Sequence, residues 1–192
     1  MAVATPSAGI VLAAAAGTRF GVPKALARAA DGTPWVQLAA EKLLTGGCSQ
    51  VTVVLGASAI EARELVPTDP RISTVTEPHW TDGLGTSLRA GMRQLEASAP
   101  PSVCAAVITL VDFPGLPVAV VRRLLNAVAS TTLRQAAFSG RSTMPVVVGR
   151  QHWPEFTGTL HGESAGQSYL GGHEVQQVEV GDLWSGHDVH AY

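Results

Sequence analysis

The sequence is short of charge, aromatic rings and cysteine, and each shortage removes a class of protein. Only 15% of its residues are charged while 46% are hydrophobic, the reverse of the composition that keeps a chain disordered. Thirteen lysines and arginines face 15 acidic residues, for a net charge of −2. The basic stripe that a DNA or RNA surface demands is therefore missing, and any nucleotide partner is expected to be a small one. The two cysteines, Cys48 and Cys104, form no CxxC and no Cys/His pair at metal spacing. Both lie in apolar surroundings and are expected to be buried free thiols. No apolar run approaches the ~18 residues of a membrane span. The opening residues lack a basic region, and the apolar stretch Ile10 to Ala16 enters a glycine turn, so a strand is expected there rather than a signal peptide. A soluble, cytoplasmic protein with neither nucleic acid nor membrane as partner is the expectation.

What remains suits one domain spanning 1–192. A chain of this length buries roughly 70% of the surface its unfolded form exposes, enough to need no staples. Apolar runs of strand length alternate with amphipathic stretches of helix length. Strands are predicted at Gly9 to Ala14, Val51 to Leu55, Ile72 to Thr76, Val103 to Val111, Gln135 to Phe138 and Pro145 to Val148. Helices are predicted at Trp35 to Leu44 (stopped by Gly46-Gly47), Ser58 to Leu65, Ser87 to Ala97 (from a hydroxyl cap) and Pro117 to Ala129. Strand, loop and helix repeating at this pace predict a three-layer α/β fold, a mostly parallel sheet with helices on both faces. The near-continuous apolar strands fit a sheet covered on both sides. In such sheets ligands bind beyond the carboxyl ends of the strands. That rule gathers three loops: residues 14–24, 77–87 and 112–116.

The first loop runs Ala13-Ala14-Ala15-Ala16-Gly17-Thr18-Arg19-Phe20-Gly21-Val22-Pro23-Lys24. Polyphosphate needs backbone N–H groups that approach closely, hence small residues and glycine, and it needs fixed cations. Arg19 offers a planar fork and Lys24 a mobile point charge. The loop is neither a GxxxxGK Walker loop nor a GxGxxG turn, and an ordinary strand-to-helix turn with two surface cations remains the alternative. Asp112, just past the longest apolar strand, suits a Mg²⁺ that bridges phosphate oxygens; alternatively it orders the Phe113-Pro114-Gly115 turn. The glycine-containing loop 77–88 feeds a helix, where Thr86 or Ser87 serves as cap, or Ser87 and the Gly83–Gly85 backbone read a base edge. His187 and His190 are a lone pair in a glycine-rich tail and are taken as solvated.

Together these motifs resemble the nucleotidyltransferase superfamily that includes molybdenum cofactor cytidylyltransferase and its guanylyltransferase relative. The family pattern LAAGxGxRFGxxKxL is matched by Leu12-Ala13-Ala14, Gly17, Arg19-Phe20-Gly21, Lys24 and Leu26. The segment WxxGxxxSLxxGL is matched by Trp80, Gly83, Ser87-Leu88 and Gly91, and the strand ending in DxP by Asp112 and Pro114. The resemblance implies a Rossmann-like nucleotidyltransferase fold with a nucleotide-binding half (1–130) and an acceptor-binding half (131–192). It implies transfer of CMP from CTP to a phosphate-bearing acceptor, molybdopterin cofactor, with a molybdoenzyme as downstream partner. Mg²⁺ would be held by Asp112 and Glu163, with Arg19 and Lys24 neutralising the pyrophosphate. Ala13, Ala14, Gly17, Gly83, Gly85 and Ser87 would line the nucleotide, the two alanines fitting the cytidylyl subgroup.

The departures fall mainly in the second half. Ala15 replaces the first loop glycine, Thr143-Met144-Pro145 replaces GHP, and Gly162 to Gln167 replaces GDxGAR with Glu163 for Asp and Gln167 for Arg. Two alternatives follow. One is a same-fold transferase with a sugar-phosphate or phospholactate acceptor. The other is a catalytically impaired paralogue that binds nucleotide or cofactor as a maturation factor.

Overall fold

The computed structural model describes residues 6–18 and 21–184. Arg19 and Phe20, and the tail with His187, Asp188 and His190, lie outside the described residues. The first strand, β1 (Ser7–Ala13), is buried along its whole length. It pairs in parallel with β2 (Cys48–Leu55) on one side and with β4 (Ala105–Leu110) on the other, and β2 pairs in parallel with β3 (Ile72–Thr76). The hairpin β5 (Leu133–Phe138) and β6 (Arg141–Gly149) adds antiparallel to β4 through β6, and β7 (Gln176–Glu179) closes the edge parallel to β5. The order is β3-β2-β1-β4-β6-β5-β7. One sheet thus runs through both halves of the chain.

Period-two alternation divides the strand residues between two cores. Val11, Ala13, Val53, Leu55 and Val107 face α1 (Trp35–Gly46) and α4 (Val118–Leu125), packing on Trp35, Val36, Leu43, Val120, Val121 and Leu124. Ile10, Leu12, Val54, Ala106, Ile108, Val146 and Val148 face the other way, onto α3 (Leu84–Ser98), α5 (Trp153–Thr159) and α6 (Gln167–Gly171). Three layers result, and the sheet carries apolar side chains on both faces, as continuous apolar strands require. The short α2 (Ala59–Glu64) follows β2. Among the described residues no helix is long and apolar enough to cross a membrane.

Several boundaries differ from expectation. Helix α3 starts at Leu84 with Gly83 at its N-cap and no side-chain cap bond, so neither Thr86 nor Ser87 is a cap; both are buried in the first turn. Helix α4 stops at Leu125, with Pro117 at the N-cap rather than inside the first turn. Helix α1 runs on to Gly46, and Gly47, at φ 119°, closes it by donating to the Leu43 and Leu44 carbonyls. Helices α5 and α6 and strand β7 lie outside the predicted elements, because seven, five and four residues are too few for a clear period. Cys48 is buried as expected, whereas Cys104 is only half-buried.

Burial pushes the Cys48 thiol up from its ordinary value of 9.0 to about 12. Between those two values the unfolded thiol loses its proton while the folded one keeps it. The unfolded state then binds fewer protons, and stability must fall as pH rises. Urea denaturation between pH 8 and 11 is expected to show a loss approaching about 1.4 kcal/mol per pH unit from this group. A Cys48→Ala variant should lack that component, so any stability deficit it shows near neutral pH should shrink as the pH rises.

Candidate functional site

Strand β1 lies between β2 and β4, so the chain leaves it toward one side of the sheet and later returns on the other. Loops at the carboxyl ends diverge at such a switch point and leave a crevice. Here a cavity of about 530 Å³ opens at that place. Its walls are the first loop (Ala13 to Thr18) with Lys24, the segment holding Trp80, Gly83 and Ser87, the end of β4 with Asp112, and Glu163. The three loops predicted to meet do meet, and a fourth, at 161–164, joins them.

Backbone demands shape the first loop. Gly17 has φ +62°, and a Cβ there would stand 2.2 Å from the Val22 carbonyl oxygen. The turn is closed by the Gly21 N–H donating to the Gly17 oxygen at 3.0 Å. It brings the chain back so that Lys24 begins a short 3-10 turn, Lys24–Leu26, beside β1. Ala15 is exposed on the cavity wall. It is not among the described non-glycine residues with positive φ, which are Ser58, Ala127 and Ser139. Alanine therefore fits this position without backbone strain, although glycine was expected from the resemblance.

The Lys24 ammonium and the Asp112 carboxylate meet at 2.6 Å across the crevice, with side chains 11% and 22% exposed. The Asp112 loop is fixed from behind. Lys42 of α1 donates to the Pro114 carbonyl, and Phe113 packs edge-on against Trp184 with ring centroids 5.1 Å apart. Burial lowers the Lys42 pKa from its ordinary value.

The fourth wall depends on two glycines. Gly83 has φ +114°, and a Cβ there would lie 2.4 Å from the Gly162 carbonyl group; one on Gly85 would lie 2.4 Å from the Ser164 oxygen. The Gly85 N–H donates to the Gly162 oxygen at 2.7 Å. The two glycines let the start of α3 dock against the 161–164 turn, and that turn presents exposed Glu163 to the cavity. Gly83 also lines the cavity, whereas Gly85 stands behind it. Ser87 is 2% exposed and lines the cavity. A hydroxyl on the cavity wall can donate to or accept from a polar group of a ligand. Sequence reasoning gave Trp80 no role beyond its motif match. It is half-buried, lines the cavity and packs on Gly56, where a Cβ would come within 2.7 Å of its own Cβ. A lone tryptophan after a proline-containing turn gives no signal of this; only the closure of the loops shows it. Gln167 is exposed at the start of α6, and half-buried Met144 of β6 packs against the core.

Two carboxylates, Asp112 and Glu163, share the cavity, and among the described residues no group of three or more His, Cys, Asp or Glu side chains could hold an ion alone. That set fits Mg²⁺, which takes one or two carboxylates and completes its shell with substrate phosphates and water.

Fold and crevice together define a Rossmann-like nucleotidyltransferase fold with its ligand cleft at the switch point. The MobA-like NTP transferase domain matches residues 9–178, and the chain belongs to that family. It is 32% identical over 191 residues to nicotine blue oxidoreductase of Paenarthrobacter nicotinovorans, covering 94% of this chain and 90% of that protein. Among solved structures it is similar to Rv0371c of Mycobacterium tuberculosis H37Rv, with TM-score 0.76 and 24% identity over 93% of this chain and 89% of that one. It is also similar to the nucleotidyl transferase Mth528 of Methanothermobacter, with TM-score 0.75 and 19% identity over 91% and 87% of the two chains.

The glycine contacts give a direct test. Gly83→Ala places a methyl group against backbone at a positive φ, and is expected to cost about 1–3 kcal/mol in urea denaturation. An unchanged midpoint would mean that the 161–164 turn does not dock as described.

Proposed function

We propose that this protein transfers a nucleoside monophosphate, CMP from CTP, to a phosphate-bearing acceptor, molybdopterin cofactor, with release of pyrophosphate. The observation that carries the reading is convergence: a small-residue loop, an ammonium, two carboxylates and Ser87 surround one cavity. The family supports a nucleoside triphosphate as substrate.

In this reading an oxygen of the acceptor phosphate attacks the α-phosphorus in line. The bond from that phosphorus to the pyrophosphate oxygen breaks, and its electron pair leaves with pyrophosphate. Such chemistry needs positioning and electrostatic stabilisation rather than a side-chain nucleophile. The backbone of Ala13, Ala14 and Gly17 cradles the phosphates; Lys24, and Arg19 from the same loop, neutralise the leaving group. Asp112 and Glu163 would hold Mg²⁺, which when bound offsets charge on the phosphate oxygens. Ser87 and the Gly83 backbone meet the base edge, and Trp80 offers its ring face to the base.

A second reading is favoured by the identity to nicotine blue oxidoreductase over nearly the whole of both chains. The same cradle suits the pyrophosphate of a reduced nicotinamide dinucleotide, which poses a similar electrostatic demand without needing a metal.

A thermal-shift panel of CTP, GTP, ATP, UTP, NADH and NADPH, with and without Mg²⁺, separates the two. Saturation at 100 times the dissociation constant should add about 2.7 kcal/mol of stability. The transfer reading expects the largest shift with CTP and Mg²⁺, and pyrophosphate release with molybdopterin that falls on the order of 10²–10³-fold in Asp112→Asn. Shifts with a dinucleotide alone would turn the assignment to the second reading. Trp80 is the least buried of the four tryptophans, so CTP should quench intrinsic fluorescence, and Trp80→Phe should abolish most of that quench while keeping affinity.

A further inference from the structure

The proposed reaction gives Lys24 and Asp112 different ligands, polyphosphate for the ammonium and a divalent cation for the carboxylate. In the structure they hold each other. The ammonium nitrogen stands 2.6 Å from Asp112 Oδ2, with both side chains largely withdrawn from solvent. A cation at that place excludes a second one from the same oxygen, by overlap and by like-charge repulsion.

We propose that Lys24 is a built-in counter-ion that occupies the Asp112 cation position until the phosphates of a nucleotide draw it away. The divalent metal then enters with the nucleotide rather than before it. The inference rests on reading the cleft as a nucleotide site. Three observations support it beyond the distance itself. The Asp112 loop is tied down by Lys42 and by the packing of Phe113 on Trp184, so the partner free to move is the lysine, with its flexible four-carbon stem. Lys24 belongs to the same loop as the small residues that would cradle phosphate, and a Cβ on Gly17 would already crowd the Lys24 backbone nitrogen at 3.3 Å. Its ammonium therefore reaches either the carboxylate or the cradle from one fixed backbone position. Finally, among the described residues only Asp112 and Glu163 line the cavity as carboxylates, too few to hold a metal firmly against a resident ammonium. Phosphates that attract the lysine expose the carboxylate and add metal ligands at once. Binding of the two ligands is coupled, and the coupling is reciprocal.

Mn²⁺ alone, followed by the paramagnetic resonance signal of the free ion, tests the counter-ion directly. Lys24→Gln is expected to bind Mn²⁺ at least about tenfold more tightly than wild type (a charge-removal effect of the size of one coupling step), and the gain should vanish in Lys24→Gln/Asp112→Asn. Equal affinities in wild type and Lys24→Gln, whether tight or weak, overturn the proposal. Circular dichroism checks that each variant folds; if Lys24→Gln does not, Lys24→Met takes its place. Calorimetry with CTP in EDTA tests the release. Asp112→Asn should raise metal-free CTP affinity more with Lys24 present than in the Lys24→Gln background, because only then is an ammonium set free. Equal rises overturn the exchange. If Mn²⁺ binding rises in Lys24→Gln while CTP binds no variant, the counter-ion role is supported and the nucleotide reading is what fails.

Discussion

The crevice is organised by one ion pair, Lys24 with Asp112, and by the sheet topology that makes it inevitable. Lys24 comes from the loop after β1 and Asp112 from the loop after β4. These strands are parallel neighbours whose following loops must part company, because the chain crosses to β2 after one and toward the β5–β6 hairpin after the other. An open notch at the carboxyl ends follows from connectivity alone. Small residues along the β1 loop keep the notch from filling with side chains. The pair then sets opposite charges on opposite walls, which is the arrangement a metal-bound polyphosphate requires.

The remaining walls are held by close backbone approaches rather than by side-chain bonds. Gly83 and Gly85 bring the start of α3 against the turn at 161–164, and this is how a residue of the second half, Glu163, reaches a cavity built mostly by the first. Lys42 and Trp184 brace the Asp112 loop from the opposite layer. The result is a rigid carboxylate facing a flexible ammonium. That asymmetry, more than the identity of either residue, decides which partner yields when a ligand arrives.

Much of this was legible from the chain. Buried parallel strands declare themselves by unbroken apolar runs, so β1, β2 and β4 and the loops after them could be placed, and with them Lys24 and Asp112. Helix α3 was found, but its start was misplaced: Ser87 looks like a cap by composition, while the backbone begins the helix at Leu84 and buries Ser87 toward the cavity. The second half was less readable. Helices α5 and α6 have seven and five residues, too short for a clear period, and β7 lies at a sheet edge where alternation is weak. The glycine-containing loop and its motif marked Gly83, Gly85 and Trp80, but the docking of the two glycines on the 161–164 turn and the packing of Trp80 on Gly56 are contacts between distant segments that local pattern does not reveal. Membership of the MobA-like NTP transferase family agrees with the resemblance read from the ordered motifs. Ala15, a departure from that pattern, is accommodated by its backbone.

The central claim is that the crevice binds polyphosphate between Lys24 and Asp112. Isothermal titration of CTP with Mg²⁺ against wild type, Lys24→Gln and Asp112→Asn tests it most directly. The account predicts one site per chain in wild type and affinity at least about tenfold weaker in each variant, a loss of about 1.4 kcal/mol or more. Undiminished binding in both variants would contradict it.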